Sequence, residues 1–219
     1  RMKAKYQKGR QSVWQYLRMT SIVNPHAEIT FTDPDGEVHF WPRVTERLPR
    51  KVESIKPHPH GILLGQLQRM LSESTDSRMS VFLRMNFSGV SGRAAKELCA
   101  AAEIEVNVKP KSMKPDQMRA LLEAFQGEKM FNGKPVKLLN PPTNCLSPIE
   151  EMLIKKGLSK TIDSRYATTM TRVPNVSLGN PYQVEVGLIF GGNMAADKPV
   201  EVLRFANRVP LMYQQGGCL

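Results

Sequence analysis

Three short basic turns carry the residues whose types and spacing could do chemistry, and that chemistry is capture of phosphate. In FSGVSGRAAKELC (87–99), Gly89 and Gly92 flank a turn into a helical run. Ser91 is placed as the cap, Arg93 in the first turn and Lys96 one turn along. A helix N-terminus presents unpaired N–H groups and the positive end of its dipole, and glycine lets a phosphate oxygen come close to the backbone. The competing reading is a tight helix–helix turn whose glycines only permit close packing. QKGRQ (7–11) has the same form, with Lys8 and Arg10 around Gly9, then Gln11 and a helical run; its competing reading is a solvated turn. KPKSMKPDQ (109–117) supplies Lys109, Lys111 and Lys114 at a connector. Contacts of this kind read phosphate and not base edges, so they weaken with salt and ignore base sequence.

Other chemistries find no support. There is no GxxxxGK[ST], no GxGxxG opening a helix, no GxSxG and no HExxH. GGNMAAD (191–197) has a glycine pair after a strand but lacks a third glycine and a phosphate-binding lysine, so it reads as a hairpin loop. Glu150 and Glu151 sit in a first helical turn, where carboxylates complement the dipole. The histidines (26, 39, 58, 60) and cysteines (99, 145, 218) have no ligand spacing, so no metal site is expected. The odd cysteine count without a framework suits reduced, intracellular thiols. Nothing argues for catalysis by this chain alone.

The net charge of +11 concerns partners more than fold, and nucleic acid or another anionic surface leads them. A hydrophobic fraction of 41% permits a sizeable core. No apolar run is long enough for a membrane span, and no signal peptide is visible.

The elements that must position these turns follow from periodicity. Residues 2–7 read as a strand ending at Gly9. From Gln11, Val13, Trp14, Leu17, Ile22 and Val23 suit a helix stopped before Pro25, with Val13, Trp14 and Leu17 assigned to the core. Alternation through Ala27, Ile29 and Phe31, then DPDG, then Val38 and Phe40 predicts a hairpin. Residues 42–61, with Pro42, Pro49, Pro57 and Pro59 among charges, read as an extended connector and domain boundary; KPHPHG is part of it. Residues 62–140 lose the β signals and predict four short helices with methionines as core filler. Ser91 caps one of them, and Pro115 with Asp116 opens another. SPIEEMLIKKGL (147–158) predicts a helix capped by Ser147, with Pro148 first and Gly157 at the stop. β-like runs follow: YATTMTRV, YQVEVGLIFGG and VEVLRFANRVPLMY. The opening inside a strand pattern and the GGCL ending lead us to expect a piece of a longer protein.

The order of these pieces resembles the middle of the B subunits of the type IIB DNA topoisomerase VI family, of the GHKL ATPase superfamily. KGRQSVWQYLRMTSIVNPHAEITF, IKPHPHGI, NCLSPIEEMLIKKGL, NPYQVEVGLIFGG and LRFANRVPLMY carry the likeness, which spans essentially all 219 residues. It implies a multi-part α+β and α/β fold. Residues 1–52 would be the end of a GHKL-type α/β ATPase domain, 53–144 an all-α helix-two-turn-helix module, and 145–219 the first part of an α/β transducer. The intact protein would bind ATP and Mg2+, dimerise on ATP binding, and drive strand passage of double-stranded DNA while an A subunit cuts the duplex. This segment would bind no cofactor: the family's ATP-site motifs would lie before Arg1 and its phosphate-sensing lysine beyond Leu219. Arg208 in FANRVPL is not that lysine. No membrane association follows. The location would be intracellular and soluble: cytoplasmic in archaea, nuclear in a plant-like eukaryote.

Formamidopyrimidine-type DNA glycosylases use the same kind of turn to hold a DNA phosphate. By that likeness Gly89, Ser91, Gly92 and Arg93 become phosphate contacts, joined by Lys8, Arg10, Gln11, Lys96, Lys109 and Lys111. The family often has KGRR at residues 8–11; Gln11 here removes one charge. Two other functions compete. A stand-alone nucleic-acid-binding module would not need the flanking α/β pieces, and a protein-interaction scaffold is disfavoured by the charge.

Overall fold

The computed structural model describes residues 5–7, 9, 11–194 and 200–212. Lys8, Arg10, Cys218, most of the expected first strand and part of GGNMAAD therefore lie outside the described residues. Residues 5–7 carry no strand.

In chain order the first elements are α1 (Val13–Val23), β1 (Ile29–Thr32) and β2 (Val38–Trp41). Then come α2 (Leu64–Glu73), α3 (Met79–Asn86), α4 (Gly92–Ala101), α5 (Pro115–Gln126), β3 (Met130–Phe131) and β4 (Lys134–Pro135). The last are α6 (Glu151–Ser159), β5 (Tyr166–Thr171), β6 (Asn175–Ser177), β7 (Asn180–Tyr182), β8 (Glu185–Phe190), β9 (Phe205–Ala206) and β10 (Val209–Pro210). The strands form two-stranded antiparallel sheets: β1–β2, β3–β4, β5–β8, β6–β7 and β9–β10. Two compact units result. A mixed α/β unit contains residues 1–51, 147–173 and 183–219, and a helical unit contains 52–146 and 174–182.

In the mixed unit, the Ser12 hydroxyl caps α1 by accepting from the Gln15 N–H at 3.1 Å. The β1–β2 hairpin forms as its alternation predicts, with Ile29 opposite Trp41 and Thr32 opposite Val38. Asp33 Oδ1 shapes the turn by accepting from the Asp35 and Glu37 N–H groups. The buried stripe of α1 differs from expectation. Val13 is 53% exposed, Trp14 and Leu17 are half-buried, and the buried apolar residues are Met19, Ile22 and Val23. The reason is α6, which packs on the C-terminal half of α1 through Ile22, Val23, Ile154 and Leu158.

α6 itself departs from its sequence signature. It begins at Glu151, not at Pro148, and Ser147 does not cap it. Glu185, from β8, accepts the Ile149 and Glu150 N–H groups at 2.7 and 2.8 Å and does the capping from outside the helix. Gly157 does not stop the helix either. It is buried within it, where any Cβ would meet the Ile22 carbonyl. Glycine costs a helix about 1 kcal/mol relative to alanine, and here that is offset by close backbone packing. One face of β5–β8 lies on α6, with Gly187 against Ile154 and Leu158. The other face exposes Tyr166, Met170, Val186, Leu188 and Phe190.

The helical unit has the larger core. Leu67, Leu71, Met79, Phe82, Leu83, Leu98, Leu121 and Phe125 are fully buried, with Phe87 edge-on to both Phe82 and Phe125. The four expected helices are present, and Ser91 and Pro115 open α4 and α5 as predicted. Three features correct the sequence reading. KPHPHG is no extended linker: Pro59–Gly61 form a 3-10 turn on a buried His58. The β3–β4 hairpin interrupts a stretch that carries no strand signal. Met79 and Met113 are core, but Met85 and Met130 are about half exposed, at 51% and 52%. The β6–β7 hairpin also groups with this unit, with Gly179 against the His58 ring.

Candidate nucleic-acid interface

The α4 turn separates its two glycines into different roles. Gly89 adopts φ +74°, and a Cβ there would run into the Leu139 carbonyl and come within 2.9 Å of His58 Nε2. Its own carbonyl accepts from the Leu139 N–H at 3.0 Å. Gly89 is therefore a packing glycine. Gly92, the first residue of α4, faces open space, and a Cβ added there would have no atom within 4 Å. Ser91 Oγ accepts from the Ala94 N–H at 3.1 Å, and the Ser91 carbonyl accepts from Ala95. Among the described residues, the Gly92 and Arg93 N–H groups remain open donors at the positive end of the helix.

The side chains here carry less free charge than their types suggest. Arg93 is exposed and donates through Nε to Glu97 at 2.7 Å, which holds its pKa above the ordinary value. Lys96 is exposed and has no ion-pair partner among the described residues. An incoming phosphate would have to compete with Glu97 for Arg93.

His58 buttresses this turn from beneath. Its Nε2–H donates to the Leu139 carbonyl at 3.0 Å, and its Nδ1 accepts from the His60 N–H at 3.3 Å. Those roles require the neutral ring. Burial pushes its pKa down, the Leu139 carbonyl opposes that, and His60 adds to it. The Ser88 N–H donates to the Pro57 carbonyl at 2.9 Å, so KPHPHG and the α4 turn are stitched together. Sequence reasoning misses this. Only the histidine itself, lodged between prolines, signals it.

Within the helical unit, Lys109 and Lys111 lie on a different turn from the one that opens α4. Lys109 and Lys111 are exposed on the 3-10 turn Pro110–Ser112. The preceding Val106 and Val108 carbonyls accept from Ser80 and Met79, at the start of α3, whereas the Ser91 turn follows the end of α3. The two turns thus adjoin opposite ends of α3, a helix about 12 Å long at 1.5 Å per residue. In the mixed unit, Gly9 sits at φ +129° and its carbonyl accepts from the Ser12 N–H. Gln11 is exposed and its Nε2 donates to the Met212 carbonyl at 3.2 Å. Lys8 and Arg10 are outside the described residues.

Two further groupings carry ligand-type or reactive atoms. Asp33, Glu37 and His39 bring such atoms within 4.8 Å of one another, but Asp33 is already engaged in shaping the hairpin turn. Burial pushes the Cys99 thiol up to about 11, which makes it an inert core side chain. Glu150 and Glu151 do more than complement a dipole. Glu150 forms a two-pronged pair with Arg47, both contacts at 2.7 Å, and Glu151 accepts from the Thr171 N–H. Among the described residues, no helix is long and apolar enough to cross a membrane.

Residues 141–219 match the family model described as the topoisomerase VI B subunit transducer. Curated relatives, all B subunits of type 2 DNA topoisomerase 6, are similar over nearly the whole chain. The protein of Methanococcoides burtonii is 46% identical over 99% of this chain and 34% of its own length. That of Archaeoglobus fulgidus is 43% identical over 95% of this chain and 33% of its own length. That of Thermococcus sibiricus is 35% identical over 98% of this chain and 44% of its own length. The chain thus spans about a third of the first two relatives and somewhat under half of the third.

Proposed function

This chain is related along its whole length to the topoisomerase VI B subunits, and on that premise we propose that it is a DNA-contacting, force-transmitting segment of a type IIB topoisomerase. Residues 1–52 act as the end of a GHKL-type ATPase domain, 53–144 as a helix-two-turn-helix module and 145–219 as the start of the transducer. ATP and Mg2+ are bound by other parts of the intact protein. ATP binding dimerises the B subunits, and an A subunit supplies the DNA cleavage. The chain alone hydrolyses no ATP and cuts no DNA. The complex acts on double-stranded DNA inside the cell.

The observation that carries the DNA contact is the open N-terminal turn of α4: Gly92 unobstructed, Ser91 capping, and Arg93 and Lys96 exposed. A phosphate oxygen reaching this turn would accept from the Gly92 and Arg93 N–H groups while the Lys96 ammonium neutralises its charge. His58 and Gly89 hold the turn in shape and do not themselves touch the ligand.

Binding of the 219-residue chain to supercoiled or crossed duplex DNA, followed across a salt series, tests this. Affinity should fall with salt in proportion to the phosphates neutralised, by a slope of about −0.9 per phosphate in log–log form. Reversing Lys8, Arg10 and Arg93 to Glu should abolish binding at low salt. Binding that survives those reversals overturns the proposal.

A further inference from the structure

In the mixed unit, a cleft of about 250 Å3 lies beside the C-terminal turn of α1 and the start of α6, remote in sequence from the α4 turn. We propose that this cleft binds a phosphate oxyanion, with the guanidinium groups of Arg208 and Arg50 and the imidazole of His26 as its ligands.

The central group is built in place. Arg208 sits in the β9–β10 turn at φ +66°, an uncommon conformation for a residue with a side chain. Asn24 Nδ2 donates to its carbonyl at 3.3 Å. Its guanidinium donates to the Val23 and Pro148 carbonyls, each at 3.1 Å. Those bonds use two of the five N–H donors of an arginine and fix the plane of the fork, leaving the others for a ligand. Among the described residues, no carboxylate is hydrogen-bonded to Arg208.

Cationic side chains outnumber carboxylates among the residues that line the cleft, Arg47, Arg50 and Arg208 against Glu150. Glu150 is taken up by Arg47. The Glu185 carboxylate accepts from the Ile149 and Glu150 N–H groups and the Thr171 hydroxyl, and with Glu150 it favours the charged form of Arg208, whose pKa burial nonetheless lowers. Arg50 has no ion-pair partner among the described residues. The cationic surroundings are felt at His26, whose pKa is pushed down by burial first and then by Arg208, Lys160 and Arg43. Planar guanidinium groups recognise oxyanions with two parallel bonds, which suits phosphate. A free pyrophosphate and a DNA backbone phosphate offer the same chemistry.

Side-chain NMR of His26 in the 219-residue chain reads the site, with its resonance identified by loss in His26→Gln. Inorganic pyrophosphate, added at constant ionic strength, should shift the His26 signal saturably and raise its titration midpoint. Arg208→Gln should weaken that response at least about tenfold, the loss expected for one charge-assisted hydrogen bond. Arg50→Gln, at an exposed position, should weaken it without touching the Arg208 clamp, whereas Arg93→Gln should leave it unchanged. A saturable response to pyrophosphate supports a free-phosphate site; a response only to a short DNA duplex supports a backbone-phosphate site. No saturable response to either, or equal weakening by Arg50→Gln and Arg93→Gln, overturns the proposal.

Discussion

Gly89→Ala and Gly92→Ala, three residues apart in one turn, should have opposite effects on stability. At Gly89 the backbone is in the left-handed region at φ +74°, which costs a side-chain-bearing residue about 1–2 kcal/mol. The new Cβ would also meet the Leu139 carbonyl, which is backbone and cannot swing aside, and would crowd His58 Nε2 at 2.9 Å. Two hydrogen bonds converge on Leu139, from His58 Nε2 and to the Gly89 carbonyl, both 3.0 Å. Displacing them costs about 1 kcal/mol each. The sum, about 3–4 kcal/mol, is a large share of the roughly 5–15 kcal/mol that stabilises a typical domain. At Gly92 the Cβ meets nothing, and alanine is the better helix former by up to about 1 kcal/mol. Thermal unfolding followed by far-ultraviolet circular dichroism should show Gly89→Ala lowering Tm by more than about 10 °C, while Gly92→Ala leaves it unchanged or raises it. Gly92→Ala should nevertheless weaken DNA binding, because its methyl group occupies the approach to the α4 N–H groups. Equal stabilities for the two variants would refute the division of roles between the glycines.

Gly157→Ala should destabilise the mixed unit by about 2 kcal/mol or more, because its Cβ meets the Ile22 carbonyl across the α1–α6 contact; Trp fluorescence through a urea series measures it, since Trp14 and Trp41 lie in that unit. Glu185→Gln removes the ionised acceptor for two backbone N–H groups ahead of α6 and should cost about 1.5–3 kcal/mol in the same assay. Stability should also fall in acid. His58 and His26 both have pKa values lowered from an ordinary 6.5, so below that pH the unfolded chain binds more protons than the folded one. Each histidine then withdraws up to about 1.4 kcal/mol per pH unit, from about 6.5 down to its folded pKa, with no effect above neutrality. Urea midpoints across pH check the direction, and in His58→Gln the acid loss should shrink.

Local chemistry makes several elements legible. Ser91 caps its helix because the cap hydroxyl bonds within three residues, and DPDG turns the hairpin because Asp33 bonds its own neighbours. The α4 turn is legible for the same reason. Gly157 misleads because a glycine after a helical pattern ordinarily marks a stop, and only the Ile22 backbone passing beside it explains a glycine inside the helix. Ser147 and Pro148 mislead because Glu185, in a strand that follows the helix, takes over the capping. KPHPHG looks extended because its prolines exclude regular structure, but nothing local shows that His58 has a carbonyl waiting at Leu139.

Residues near one another, or their order along the chain, are enough to specify the starts of α4 and α5, the β1–β2 hairpin, the basic character of the turns and the similarity to topoisomerase VI B subunits. Contacts between distant segments settle that Gly89 packs while Gly92 stays open, that His58 braces the α4 turn, and that Arg208 is clamped over a cleft. Each of these joins groups distant in sequence or resolves which of several free rotamers a charged side chain adopts. Close backbone approach and hydrogen-bond geometry settle such choices, and neither is written into the local order of residues.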